Sequence, residues 1–560
     1  MNHLFILPRQ LSCSFPIVSH KTKIIGEAFI CSGKVFLTQK KNSKFLQYTN
    51  GRSLAEINNS IKLPKKKTFW RMLWAYTGPG ALVAVGYMDP GNWATSITGG
   101  QSFQYILMST ILISSLMAML LQYMAAKLGI VTRLDLAQAI RARTGKALGI
   151  ILWLMTELAI MATDIAEVIG AAIALNLLFH IPLVPSVFIT VLDVLLLLFL
   201  TKIGFRKIEA LVSCLILVIL FVFAYEVALA NPNWHAALIG LIPTSKILQR
   251  GPVVGGISPL TGSLGIIGAT VMPHNLYLHS SISQTRRIDH NNLNLIRDAV
   301  KYTALDSNIQ LTLAFFVNAL LLIMGAAVFK NGEVKDSSFF GLYQALSNSK
   351  MLSDPLLIHV AKSGILSTLF AVALLASGQN STITGTLTGQ IIMEGYIHLK
   401  MPLWARRLVT RLLSVLPVLI CVSLTAKDST LEQHFALNML MEHSQVFLAF
   451  ALPFSIFPLL IMTDNKAEMG EFKNKLIWQI LGWGCGLILT FLNLYNLPAS
   501  FVSFHIFPKN IAKPLAYVTI VVIVLLLLWT CIEIYIGDRK VKIKHLGFEA
   551  KEEKIEEAEK

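Results

Sequence analysis

Charge is what this sequence has least of. Only 14% of its 560 residues are Asp, Glu, Lys or Arg, while 54% are hydrophobic. A soluble chain carries about 25% charged residues. This composition cannot supply a polar exterior, and a soluble enzyme is excluded. Acids are the scarcer sign, 31 against 48 Lys and Arg, which leaves a net charge of +17. Cysteine is also sparse. Cys13, Cys31, Cys214, Cys421, Cys485 and Cys531 form no CxxC pair, and the last four sit inside apolar runs, where they read as small packing residues.

What the chain has instead is long apolar runs. Phe188–Leu200, Leu211–Ala230 and Leu515–Trp529 contain only two charges, Asp193 and Glu226. A run of ~20 residues at 1.5 Å rise matches a hydrocarbon core ~30 Å thick. Lipid offers no hydrogen-bond partners, so such runs are helices. Hydropathy predicts about twelve spans, near 73–95, 105–127, 148–179, 183–202, 208–230, 260–282, 303–329, 355–378, 407–426, 434–463, 476–497 and 514–537.

The excess positive charge sits in alternate connections. Lys62–Lys67 and Arg71 precede the first span, Lys127–Lys146 separate the second and third, and Lys202–Lys207 follow the fourth. Arg286–Lys301, Lys400–Arg411, Lys466–Lys475 and Arg539–Lys544 follow the sixth, eighth, tenth and twelfth. Intervening loops such as His180–Pro185 and Pro498–Lys509 are nearly free of Lys and Arg. The positive-inside rule then puts both termini in the cytoplasm. The charge encodes orientation, and no nucleic-acid partner is expected. Residues 1–67 read as a basic, disordered N-terminal extension, 68–538 as the transmembrane domain and 539–560 as a charged cytoplasmic tail.

Two spans are interrupted. The first contains Gly78-Pro79-Gly80 and Gly86-Tyr87-Met88-Asp89-Pro90-Gly91-Asn92; the sixth contains Gly268-Ala269-Thr270-Val271-Met272-Pro273-His274-Asn275. Proline removes an amide donor and clashes with the preceding turn. Unwinding there frees backbone carbonyls, which is tolerated only inside protein or beside a cavity. Breaks in spans 1 and 6 fit an inverted repeat of spans 1–5 and 6–10, with a binding site at the midplane. Asp89 at the first break costs ~2.5–3.5 kcal/mol to insert and needs a cation, a proton or a partner. Asp89, Asn92, Met272 and the Ala269 carbonyl offer a carboxylate, an amide oxygen, a freed carbonyl and a thioether. That set is too soft for Mg²⁺ or Ca²⁺ and suits Mn²⁺, Fe²⁺ and softer divalent ions.

The stretches Gly86–Gly100 and Gly268–Arg286 resemble the two signature motifs of the NRAMP metal transporters. The likeness runs over about residues 70–515 and includes Lys127–Thr132, Thr382–Gln390 and Met393-Glu394-Gly395. The resemblance implies a LeuT-like inverted-repeat fold, all-α and integral to the membrane. It also implies inward movement of Mn²⁺ or Fe²⁺ coupled to protons, in a bacterial inner membrane, with no resident cofactor and no enzymatic activity. It implies Asp89, Asn92, Ala269 and Met272 as metal ligands, with Gln445 joining in some conformations. His274 and His279 would lie near the metal and along the aqueous path. Glu157, Asp164 and Glu167 would pass protons, paired with Arg406 and Arg407. Met272 argues against the magnesium-selective branch. The long N-terminal extension and the twelfth span depart from the shorter members.

Helical spacing supports that acidic stripe independently. Glu157, Asp164 and Glu167 stand at i, i+7 and i+10, on one helix face, and carboxylates lined up within a span form proton relays. Three rivals are weighed on the residues alone, and one of them, a receptor or sensor that kept the fold but lost transport, would bring a large soluble domain. A sodium-coupled organic solute symporter of the same fold would place small and hydroxyl residues at the first break. An intramembrane metalloenzyme built on His274 and His279 would need i, i+4 spacing and a general-base Glu.

Overall fold

The structure, a computed structural model, describes residues 28–31, 34–37, 47–48, 53–64, 68–195, 204–254, 257–329, 338–347, 364–426, 429–503 and 508–559. Most of the N-terminal extension, the second half of the expected fourth span and the expected start of the eighth lie outside them.

Among the described residues seven helices are uninterrupted, long and apolar enough to cross a membrane. They are spans 2 (Met108–Thr132), 3 (Lys146–Phe179), 5 (Phe205–Leu229), 7 (Leu293–Val328), 9 (Leu403–Leu424), 11 (Leu476–Ser503) and 12 (Lys509–Glu559). Spans 1, 4, 6, 8 and 10 complete the set. Span 1 is a short entry helix, Phe69–Tyr76, followed by span 1a, Pro79–Val85, and span 1b, Pro90–Phe103. Span 6 divides into 6a, Pro259–Thr270, and 6b, Pro273–Ile282. Span 4 begins at Leu183. Span 8 is Ile365–Ile397, about five helical turns further along the chain than hydropathy placed its end. Its second half, Thr382–Gln390, is rich in Thr and Gly and buried throughout. Span 10 is also broken, into Thr430–Ala451 and Pro453–Thr463, because Pro453 has no amide to continue the ladder.

Packing follows a two-fold exchange of spans 1–5 with 6–10. Span 1 packs on span 7 as span 6 packs on span 2. Span 3 meets span 10 as span 8 meets span 5, and span 5 meets span 7 as span 10 meets span 2. Spans 3 and 8, each other's counterparts, pack together across the axis. A shift of five spans reverses direction through the membrane, so the repeat is inverted. In their most apolar windows span 3 is 78% buried, whereas spans 11 and 12 are 22% and 17% buried and face lipid.

The end of the N-terminal extension is packed, not free, and this corrects the expectation for 53–64. The Leu54 amide donates to Glu394 Oε2 at 2.8 Å, and Leu54 is buried. The Asn59 and Ile61 amides donate to the carbonyls of Gln284 and Thr285, each at 3.1 Å, and Arg287 donates back to the Ile61 carbonyl at 2.9 Å. Glu56 pairs with Lys400.

Candidate metal site

The two breaks face each other. Val85 is the last helical residue of span 1a, and the next carbonyls would be orphans. Side chains of span 1b and of other spans take them up: Asn318 Nδ2 donates to the Tyr87 carbonyl at 2.7 Å, and Trp93 Nε1 and Ser377 Oγ donate to the Met88 carbonyl at 2.9 and 2.5 Å. Asp89 then caps span 1b. Its Oδ1 accepts from the Asn92 amide and from Asn92 Nδ2, both at 2.8 Å. The same Nδ2 reaches the Gly86 carbonyl at 3.2 Å and, across to span 6, the Ala269 carbonyl at 2.9 Å. One amide group therefore ties the Asp89 carboxylate to the freed carbonyl of the other half-repeat.

Asp89 Oδ2 is buried and has no hydrogen-bond partner among the described residues. A buried carboxylate oxygen left without a donor costs several kcal/mol unless a proton or cation answers it. Met272 caps span 6b, is fully buried and packs with Ala162 of span 3 and Leu448 of span 10. Gln445 of span 10 lies against Gly91, where any Cβ would strike its side-chain amide, and its Oε1 is also buried without a partner among the described residues. Gly91 is thus required by close approach. Among the described residues no three His, Cys, Asp or Glu converge as a resident metal cluster would require. The set is one carboxylate, neutral oxygens and a thioether.

His274 is buried with its Nδ1 unpartnered among the described residues. His279 is buried, and its Nδ1 lies 3.0 Å from Gln122 Oε1. Gln122 Nε2 in turn donates to Tyr87 Oη at 2.9 Å. A hydrogen-bonded chain therefore runs from the first break to His279.

The acidic stripe of span 3 meets span 9. Arg406 pairs with Glu157. Arg407 pairs with Asp164 at 2.5 Å and with Glu167 at 3.0 Å. Two members were missed in the sequence. Asp193 of span 4 lies 3.0 Å from Arg407 and 2.5 Å from Arg411, and Arg411 also reaches Glu167 at 3.5 Å. Arg411 stands at i+4 from Arg407, and Asp193 is the one charge in its apolar run, so each carried a signal. Span 8 closes the network: Ser381 Oγ donates to Glu167 Oε1 at 2.6 Å, and Thr382 Oγ1 reaches both Glu167 and Asp193. Three carboxylates here face two guanidiniums.

At the end of the molecule that carries the basic connections, Arg286 follows span 6b. Its guanidinium donates to the carbonyls of Ala75, Tyr76 and Thr77 at the end of the entry helix, and pairs with Glu209 of span 5 at 2.6 Å. Asp306 of span 7 accepts from the Gly78 and Gly80 amides at 3.2 and 2.7 Å, at the start of span 1a. Cation meets helix C-terminus and anion meets helix N-terminus, as the macrodipoles prefer.

The family model described as "Natural resistance-associated macrophage protein-like", Nramp, matches residues 80–499. A divalent metal cation transporter MntH of Latilactobacillus sakei is 54% identical over 457 residues, covering 81% of this chain and 96% of that protein. One of Staphylococcus aureus is 51% identical over 450 residues, covering 80% and 96%. The crystal structure of an Eremococcus coleocola manganese transporter, in complex with an aromatic bis-isothiourea substituted compound, superimposes with a TM-score of 0.83 at 61% identity, covering 87% of this chain and all of that one. Two facing helix breaks in an inverted repeat, and a family match across both of them, make this chain a member of the Nramp family.

Proposed function

We propose that the protein imports divalent transition metal ions, Mn²⁺ or Fe²⁺, together with protons, by alternating access in a bacterial inner membrane with both termini cytoplasmic. The observation that carries the reading is the unanswered Oδ2 of Asp89, set between the Ala269 carbonyl, Asn92 and the buried Met272. A divalent ion supplies the missing positive charge. Asn92, which now spends its amide on Asp89 and Ala269, turns its oxygen inward when the ion replaces those hydrogen bonds.

The Arg407–Arg411 network supports proton passage. With three carboxylates for two guanidiniums, a proton on one acid leaves both cations paired, so a proton moves through without stranding a buried charge. Arg286, Glu209 and Asp306 hold the entry helix and span 1a at the cytoplasmic end, and release of that junction opens the inner path. The membrane potential adds ~2.3 kcal/mol per charge per 100 mV to inward movement.

Proteoliposome uptake of Mn²⁺, Fe²⁺, Mg²⁺ and a panel of amino acids, with and without a pH gradient, tests the reading. Mn²⁺ and Fe²⁺ uptake accelerated by an inward proton gradient is expected. Asp89→Ala is expected to abolish uptake with expression and insertion near wild type. Robust Mn²⁺ transport by that variant removes Asp89 from the mechanism.

A further inference from the structure

A second polar cluster stands beyond the central one. Gly91, Thr95 and Thr98 share a face of span 1b, and Gln445, Glu442 and Asn438 share a face of span 10. Gln445 meets Gly91 at the central cluster. Thr95 Oγ1 donates to the Gly91 and Asn92 carbonyls at 3.2 and 3.1 Å. One turn further from the basic end, Thr98 Oγ1 donates to Glu442 Oε1 at 3.1 Å, and Asn438 Nδ2 donates to the same oxygen at 3.0 Å. These are the hydrogen-bond partners of Glu442 among the described residues, and both engage Oε1. Thr98 and Asn438 are buried and Glu442 is half-buried. A carboxylate thus sits inside the membrane, with a hydroxyl and an amide beside it, in the polar seam that leads outward from Asp89.

We propose that Glu442, Thr98 and Asn438 form an outer station that holds an incoming, partly hydrated divalent cation before it reaches Asp89. The inference rests on the reading of Asp89 as the central ligand. The station offers a carboxylate, a hydroxyl and, once Asn438 turns its amide, a carbonyl oxygen. All are hard donors, which Ca²⁺ accepts as readily as Mn²⁺. The thioether enters only at Met272, one station later. The outer station therefore collects divalent ions by charge, and the inner one sorts them by softness. Ca²⁺ binds at the first, blocks it and is not carried onward.

The competing account is that Glu442 is a strut tying span 10 to span 1b through neutral hydrogen bonds. Glu442→Gln keeps size and hydrogen bonding and removes the charge, so it separates the two. In proteoliposomes the outer station predicts that Glu442→Gln raises the KM for Mn²⁺ about tenfold, weakens Ca²⁺ inhibition to a similar degree and leaves kcat nearly unchanged. Glu442→Asp restores part of both effects. Equilibrium Mn²⁺ binding to purified Asp89→Ala protein should retain a weak site that the Asp89→Ala/Glu442→Gln double variant lacks. If Glu442→Gln does not insert, Thr98→Val carries the same test, with a KM about threefold higher expected from loss of one oxygen donor. Unchanged KM and unchanged Ca²⁺ inhibition in a folded variant overturn the outer station and leave a strut. Mn²⁺ transport surviving Asp89→Ala overturns the central reading instead.

Discussion

Met272 is the residue at which chemistry and packing are hardest to tell apart. Its contacts, Ala162 and Leu448, are apolar, and a methionine filling a gap between three spans is ordinary. Its place is not: it is the residue between the Ala269 carbonyl turn and Pro273, directly at the second break. A thioether gives polarisable density that a transition ion uses and an alkaline-earth ion does not. Met272→Ala admits water to the shell. Ca²⁺ then competes better against Mn²⁺, Cd²⁺ loses affinity about tenfold or more, and Mn²⁺ keeps much of its transport through Asp89 and Asn92. Competition of Ca²⁺ and Cd²⁺ against Mn²⁺ uptake measures this. Unchanged Ca²⁺ rejection with unchanged Cd²⁺ affinity makes Met272 a packing residue. The central residues were legible because an Asp and a Met beside membrane prolines are costly or odd in isolation. The partners that hold them were not: Asn318 and Gln122 are isolated polar residues in apolar stretches, Ser377 is one of many polar residues in span 8, and nothing in the chain says which group each will meet.

Among the elements, the junction between the entry helix and span 1a is held most heavily at the end that carries the basic connections. Gly78 there has φ of +136°, a conformation strained for any other residue, and a Cβ would strike the Glu209 carboxylate. Glu209, Arg286 and Asp306 come from spans 5, 6 and 7, so the junction closes only when those spans are seated together. Arg286→Gln removes the cation from three helix-end carbonyls and leaves Glu209 buried beside a neutral amide. Arg206 keeps a 2.9 Å contact with Glu209 and softens the loss. Breaking a buried pair in this way costs about 3–5 kcal/mol before that relief. The variant is expected to expose a cysteine placed at Ala81 to membrane-impermeant thiol reagents from the cytoplasmic side, and to lower the unfolding temperature in detergent. Protection equal to wild type shows that the junction is not the inner gate. Hydropathy placed the limits of span 10 well but not its break at Pro453, and it ended span 8 near 378 although the helix runs to Ile397. Thr382–Gln390 reads as a polar loop by composition, but its hydroxyls fold back on their own helix or reach Glu167, which makes a polar sequence behave as a buried helix.

For the whole molecule, one sign of charge gathers at one end. Segments near both ends of the chain meet basic connections. Residues 53–64 lie against 284–287 and the end of span 8, and Glu533, near the end of the apolar part of span 12 (Asn510–Gly537), accepts from the Gly145 amide, in the loop between spans 2 and 3, at 2.7 Å. Gly145 is flanked by Arg143 and Lys146, and Arg143 pairs with Glu468 in the basic loop after span 10. At the other end Arg250 reaches Tyr495 of span 11. An even number of crossings is required for both termini to share a face, and span 12 is the crossing that makes the number even. Span 12 is also the most lipid-exposed of the seven uninterrupted spans, held by span 11 and the second half of span 10 and, near the end of its apolar part, by Glu533. Its position is therefore the most informative to test. After replacement of the native cysteines, a single cysteine at Ser503 or Lys509 should react with impermeant thiol reagents from outside the cell, and one at Arg539 or His545 should react only after permeabilisation. External labelling at Arg539 would place span 12 along the surface, leave eleven crossings and put the C-terminal tail outside. It would also separate Glu533 from Gly145, since the two could then not lie on one side of the bilayer.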